Sequence, residues 1–136
     1  MHVANKDDRQ KVFDIIKEKY GFIDILVCNA AVSTHMGDIF TITEQQYDKM
    51  FDTNVKSTFF LTKLFVPIIN KGGSIIIISS FVAFNIDPEI AIYSVTKTAL
   101  LGLTKALAKS LTNNQIRVNA VAPGLIRTKF ASALIE

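Results

Sequence analysis

A tyrosine and a lysine four residues apart, Tyr93 and Lys97, follow thirteen residues after a serine, Ser80. A phenol, an amine and a hydroxyl are the groups needed to move a proton to or from a substrate oxygen. Four-residue spacing on a helix stacks two side chains on one face, which sets Lys97 beside Tyr93. At about 5 Å and an effective dielectric of about 20, an ammonium favours phenolate by roughly 3 kcal/mol, or about two pK units. On that arithmetic Lys97 draws Tyr93 down from its usual ~10 towards neutrality. Each residue alone also has an ordinary reading, as a packing tyrosine, a solvated lysine or a turn serine. Asn54 is less ordinary, because it interrupts an apolar stripe where a polar group needs a partner.

The elements that must position these groups alternate along the chain. Asn5-Lys6-Asp7-Asp8 reads as a helix start, with Val12, Ile16 and Tyr20 at helical spacing and Gly21 as the stop. Phe22 to Cys28 reads as a buried strand, followed by the loop Asn29-Ala30-Ala31. Thr43-Glu44-Gln45-Gln46 is a capping box that opens a helix over residues 44–70. Its inner stripe runs from Tyr47 and Met50 through Asn54 and Leu61 to Ile68, and Pro67 bends or ends it. Gly72-Gly73 marks a turn. Ile75 to Ser79 is a strand apolar enough to be buried on both faces. A helix over 89–113 follows Pro88, with Val95, Ala99, Leu103, Ala106, Leu107 and Leu111 as its core face. Ile116 to Val121 is a third strand, stopped by Pro123-Gly124. Strands alternating with helices of this length imply parallel crossovers and the α/β class. In a parallel sheet the carboxyl ends share one side, so Asn29, Ser79, Ser80, Pro123 and Gly124 converge there.

Composition narrows the field of functions. A chain of 136 residues that is 49% apolar and 20% charged has the balance of one globular domain. The net charge of +3 is small and its lysines and arginines are scattered, which argues against nucleic acid. Cys28 is alone, so no disulfide framework exists and a reducing, cytoplasmic compartment is expected. The longest apolar stretch, Phe59 to Ile69, carries Lys63 and is too short to span a bilayer. The charged run from Lys6 to Lys11 does not read as a secretory signal. His2 and His35 have no partners at metal-ligand or triad spacing. No Gly-x-Ser-x-Gly elbow points to a hydrolase.

Ser80, Tyr93, Thr96 and Lys97, with Asn54 upstream, resemble the catalytic set of the short-chain dehydrogenase/reductase family. Its Tyr-x-x-x-Lys element stands here as Tyr93-Ser94-Val95-Thr96-Lys97, with Thr96 where serine is usual. Cys28-Asn29-Ala30-Ala31 resembles the family's Asn-Asn-Ala-Gly segment, and Asn54-Val55-Lys56-Ser57 its helical asparagine. Ile116-Arg117-Val118-Asn119 and Pro123-Gly124-Leu125-Ile126-Arg127-Thr128 resemble the strand and loop that close over the nicotinamide. The likeness covers practically the whole chain and is nearest to the NADPH-dependent carbonyl reductases acting on retinal and dicarbonyls.

The resemblance implies a Rossmann-like, doubly wound parallel sheet and hydride transfer between NADP(H), with NAD(H) as the other option, and a carbonyl or alcohol substrate. It implies Asn54, Ser80, Tyr93 and Lys97 as the catalytic set, Asn54 binding a water that links Lys97 to solvent. Asn29, Pro123, Gly124 and Thr128 are implied as cofactor contacts together with Tyr93 and Lys97, and Val3 near the adenine. It also implies a homodimer or homotetramer for the full-length family, and a peroxisomal address remains open for a longer parent chain. The family's opening strand and Gly-rich pyrophosphate turn have no counterpart among the six glycines. Residues 1–136 are therefore expected to form the central and catalytic part of a longer domain. Alone, with an apolar strand edge at 22–28, the chain is expected to fold poorly and bind NADP(H) weakly. Two other readings stay open: a non-catalytic or dimerisation subunit, and an enzyme resembling 3-oxoacyl-carrier-protein reductase.

Overall fold

The computed structural model describes residues 1–126. Asn5 caps the first helix, α1 (Lys6–Tyr20), its side chain accepting from the Asp8 N–H at 3.0 Å. Gly21 ends α1 at φ 77°, a conformation that glycine adopts without steric cost. The strand β1 (Ile23–Cys28) follows. Thr43 and Gln46 then satisfy one another's backbone N–H groups and start α2 (Glu44–Phe51). The expected single helix to residue 70 is not continuous. It widens into a π-helical turn at Asp52–Lys56, resumes as α3 (Ser57–Phe65), and ends in a 3-10 turn at Val66–Ile68 that contains Pro67. The added residue turns the helix face, so that Thr53 with Asn54, and Ser57 with Thr58, are buried in adjacent pairs.

Next come β2 (Ile69–Ile78), a 3-10 turn at Pro88–Ile90, the long helix α4 (Ala91–Ser110) and β3 (Arg117–Val121). The strands form one parallel sheet in the order β1-β2-β3. In register, Leu26 lies beside Ile75 and Val118, and Cys28 beside Ile77. These side chains join Leu61 and Phe65 of α3 and Leu100 of α4 in one core, against which Val12, Phe13 and Ile16 of α1 pack. Phe13 meets Phe65 edge to face, with ring centroids 5.4 Å apart. Side chains alternate across a strand, so Ile25, Val27 and Val121 lie on the opposite face, where they are 60%, 51% and 48% exposed. Among the described residues the sheet is therefore covered by helices on one face only. Ile76 and Ile78 are half-buried, and β2 is not enclosed on both sides as its apolarity suggested. The parallel α/β architecture agrees with expectation. No helix of the described residues is long and apolar enough to cross a membrane.

The inner face of α4 differs from the apolar stripe expected of it. Tyr93, Ser94, Thr96, Lys97, Leu100 and Thr104 are buried, whereas Val95 is 42% exposed and Ala106 is exposed. Polar side chains tolerate this burial because each finds a carbonyl: Ser94 donates to Ile90 O at 3.1 Å and Thr104 to Leu100 O at 2.7 Å.

The expected turn at Gly72-Gly73 lies inside β2 as an irregularity in its pairing with β1, between the partners Ile23–Ile69 and Ile25–Ser74. Gly72 has φ 83°. A Cβ on Gly73 would meet Ile69 Cγ2 at 2.5 Å and the carbonyl oxygens of Asn70 and Asp24 at 2.8 and 2.9 Å. Backbone carbonyls cannot swing aside as a side chain can. Gly73→Ala is expected to destabilise the fold by about 1–3 kcal/mol, read as a lower urea midpoint, while Gly102→Ala at an open position gives no such loss.

Candidate active site

Parallel strands bring their carboxyl ends to one side, and there a cavity of about 710 Å³ opens. Asn29 lines it from beyond β1, Ser79 and Ser80 from beyond β2, and Pro123 and Gly124 from beyond β3. Tyr93 and Lys97 line it from the first turns of α4, and Val3 from the segment before α1. Seven of the nine residues implied as catalytic or cofactor contacts thus share one cavity with Ser79. Asn54 is fully buried outside its lining, and Thr128 lies outside the described residues.

Asn54 holds the cavity's parts together from within the π-helical turn. Its side-chain oxygen accepts from the Val32 N–H at 2.8 Å, and its amide donates to Val32 O at 2.9 Å and to Thr96 Oγ1 at 3.0 Å. Thr96 Oγ1 in turn donates to Tyr93 O at 2.7 Å. One amide therefore ties the loop after β1 to the turn of α4 that carries the phenol. Both amide hydrogens are occupied by protein, so the side chain has no donor left for the water expected of it.

Lys97 is buried at 2% exposure, and its ammonium donates to Ile78 O at the end of β2 at 2.9 Å. Its Nζ lies 5.5 Å from the centroid of the Tyr93 ring. Ser79, which the motif reading did not use, donates from Oγ to Lys97 O at 2.8 Å and so pins α4 to the strand. Ser80 Oγ accepts from the Val82 N–H at 3.4 Å, a contact that leaves its hydroxyl hydrogen available.

The electrostatics overturn one expectation. Burial raises the Tyr93 pKa above its ordinary 10, and burial lowers that of Lys97 from 10.5 to about 8. The expected depression of the Tyr93 pKa requires a fully charged lysine and leaves out the desolvation of both groups. Here desolvation acts on both groups and favours their neutral forms.

Three further residues support the site without belonging to its motifs. The Arg9 side chain, buried in α1, donates to Val3 O and lies 5.8 Å from the Phe60 ring centroid. Asp8 accepts from the His2 N–H at 2.6 Å, so the first turn of α1 fastens the cavity rim from two sides. Asp87 lines the cavity just before α4. Asp8 and Arg9 reach the rim through partners six residues away, and the fold sets that rim against the strand ends. Among the described residues no group of three or more His, Cys, Asp or Glu could hold a metal ion.

Residues 1–136 match the sequence model of the family described as Enoyl-(Acyl carrier protein) reductase. The Bos taurus protein "Dehydrogenase/reductase SDR family member 4" is 47% identical over 137 residues, which cover 99% of this chain and 49% of the relative. The chain spans about half the length of the curated relatives it matches. A Brucella melitensis short-chain dehydrogenase/reductase described as a glucose/ribitol dehydrogenase superposes with a TM-score of 0.93 at 28% identity, over 100% of this chain and 55% of its own. The structure "ElxO with NADP Bound" superposes with a TM-score of 0.89 at 32% identity, over 99% of this chain and 55% of its own.

The depressed Lys97 pKa has a consequence for stability. Between about 8 and 10.5 the unfolded chain holds the lysine proton and the folded chain does not. The unfolded state then binds more protons, so stability rises with pH across that window. Lys97→Met removes this slope. Relative to wild type, the variant is expected to be favoured by up to about 3 kcal/mol more below pH 8 than at pH 10.5, as read from urea unfolding at a series of pH values. A constant difference across the window would contradict the assignment.

Proposed function

The chain belongs to the short-chain dehydrogenase/reductase family, and from that membership we propose that it is the central, catalytic part of an NADP(H)-dependent oxidoreductase acting on a carbonyl or alcohol. The observation that carries this reading is the meeting of Ser80, Tyr93 and Lys97 with the three strand ends in one cavity. The residues present suit a nicotinamide and its ribose: Ala31, Val32 and Ile78 offer an apolar wall for a flat ring, and Asn29, Tyr93 and Lys97 offer polar groups for the sugar and amide. When bound, the nicotinamide supplies or takes up the hydride. NADP(H) rather than NAD(H) is favoured by likeness to the carbonyl reductase branch and by the NADP-bound ElxO relative.

In the direction of reduction, Tyr93 gives its phenolic proton to the substrate oxygen. Its raised pKa keeps that proton in place at neutral pH, which suits an acid better than the phenolate first expected. Lys97, as ammonium, lowers the energy of the phenolate that forms as the proton leaves. With a pKa of about 8 it also exchanges its own proton near neutrality and can resupply the phenol. Ser80 donates its free hydroxyl hydrogen to the same substrate oxygen as negative charge develops there. Asn54 acts as a positioning residue through Val32 and Thr96, and a water linking Lys97 to solvent would rest on one of its oxygens rather than its amide hydrogens.

Reduction of a simple aldehyde, followed by loss of NADPH fluorescence, is expected to fall at least ~100-fold in Tyr93→Phe and roughly 100-fold in Ser80→Ala. In the wild type, the rate is expected to decline as pH rises through about 8, where Lys97 loses its charge. Full activity in Tyr93→Phe would refute the proposed proton path.

A further inference from the structure

The cavity has one feature that proton and hydride transfer do not require. Asp87 is half-buried in its wall, and among the described lining residues it is the one carboxylate. The cavity it shares is lined by apolar side chains, Val32, Phe81 and Ile90 among them, and by the polar Asn29, Ser80 and Lys97. Its position is held firmly. Asp87 Oδ1 accepts from the Glu89 N–H at 3.0 Å, Asp87 O accepts from the Ile90 N–H at 3.2 Å, and Glu89 O accepts from the Gly37 N–H at 2.9 Å. The capping bond uses one carboxylate oxygen and leaves the charge in the wall.

The other titratable groups of the lining are the Met1 α-amino group and His2 at the rim, Tyr93 and Lys97. Tyr93 is neutral at pH 7, and the Lys97 ammonium is engaged by Ile78 O at the end of β2. Among the described residues neither forms an ion pair with Asp87, and the Lys56–Asp52 pair lies on the α2–α3 surface instead. A negative charge held in a half-buried wall repels a second anion more strongly than it would in open water.

We infer that Asp87 filters substrates by charge, so that the site takes neutral or amine-bearing carbonyl compounds and rejects those with a carboxylate or phosphate beside the carbonyl. The substrate class rests on the oxidoreductase reading, but the charge filter is a property of the cavity. Specificity of this kind comes from a repulsive element as much as from attraction.

Asp87→Asn tests the idea with the fold intact, because an asparagine oxygen still caps the Glu89 N–H. Benzylamine, benzyl alcohol and benzoate, matched in shape and differing in charge, are titrated into the full chain and followed by protein NMR. Benzaldehyde and 4-carboxybenzaldehyde are compared in the NADPH assay. The wild type is expected to bind benzylamine most tightly and benzoate at least about tenfold more weakly, with a similar ratio of kcat/KM between the two aldehydes. In Asp87→Asn both ratios are expected to collapse to within about twofold. If aldehydes are reduced and the ratios are unchanged in the variant, the charge filter fails and the reaction stands. If no aldehyde is consumed yet the binding order collapses in the variant, the reaction fails and the filter stands.

Discussion

A single buried amide sets the geometry on which the rest of the site depends. Asn54 is inside the protein with no exposure, where an unpaired polar side chain would be costly. It avoids that cost by bonding to both backbone groups of Val32 and to Thr96. To reach them the helix must widen, and the π-helical turn at Asp52–Lys56 is the result. Thr96 carries the tie one step further to the backbone of Tyr93. The loop after β1 and the phenol-bearing turn of α4 are thereby held on the same cavity by three hydrogen bonds rather than by packing alone. Removing the amide would leave the Val32 N–H and carbonyl unpaired, cut the tie to Thr96 and free both walls to move.

Burial, more than charge pairing, decides how the catalytic groups titrate. Lys97 is enclosed by the fold, its ammonium directed to the carbonyl at the end of β2, and desolvation brings its pKa close to neutral. The same enclosure keeps Tyr93 protonated. A lysine poised near pH 8 beside a neutral phenol is a different device from a permanent cation beside a phenolate. It favours donation to a carbonyl oxygen and ready resupply of the donated proton. Ser79 reinforces the arrangement by anchoring the Lys97 carbonyl to the strand end.

Local chemistry was legible in the residues; tertiary chemistry was not. Asn5, Gly21 and the Thr43–Gln46 box were readable because each cap is satisfied within a few residues of itself. Convergence of Asn29, Ser80 and Gly124 was readable because parallel pairing alone puts strand ends on one side. The π-helical turn was hidden, since its cause is a bond to Val32, twenty-two residues distant. The inner face of α4 differs from its apolar pattern because Ser94, Thr96 and Thr104, polar by type, bond to carbonyls three or four residues earlier, while Lys97 finds a carbonyl on β2 that only the fold supplies. Gly72-Gly73 had the composition of a turn, but the ladder with β1 resumes around it. Arg9 and Asp87 belong to no motif and became visible only as neighbours of the cavity.

Where a substrate oxygen comes to rest decides between this account and any other. The most direct measurement is a crystal structure of the protein with NADPH and a slowly reacting carbonyl ligand. The account predicts the ligand's oxygen within about 3 Å of both Tyr93 Oη and Ser80 Oγ, with the nicotinamide against Ala31, Val32 and Ile78. A ligand oxygen remote from both hydroxyls, or a dinucleotide seated outside this cavity, would contradict it.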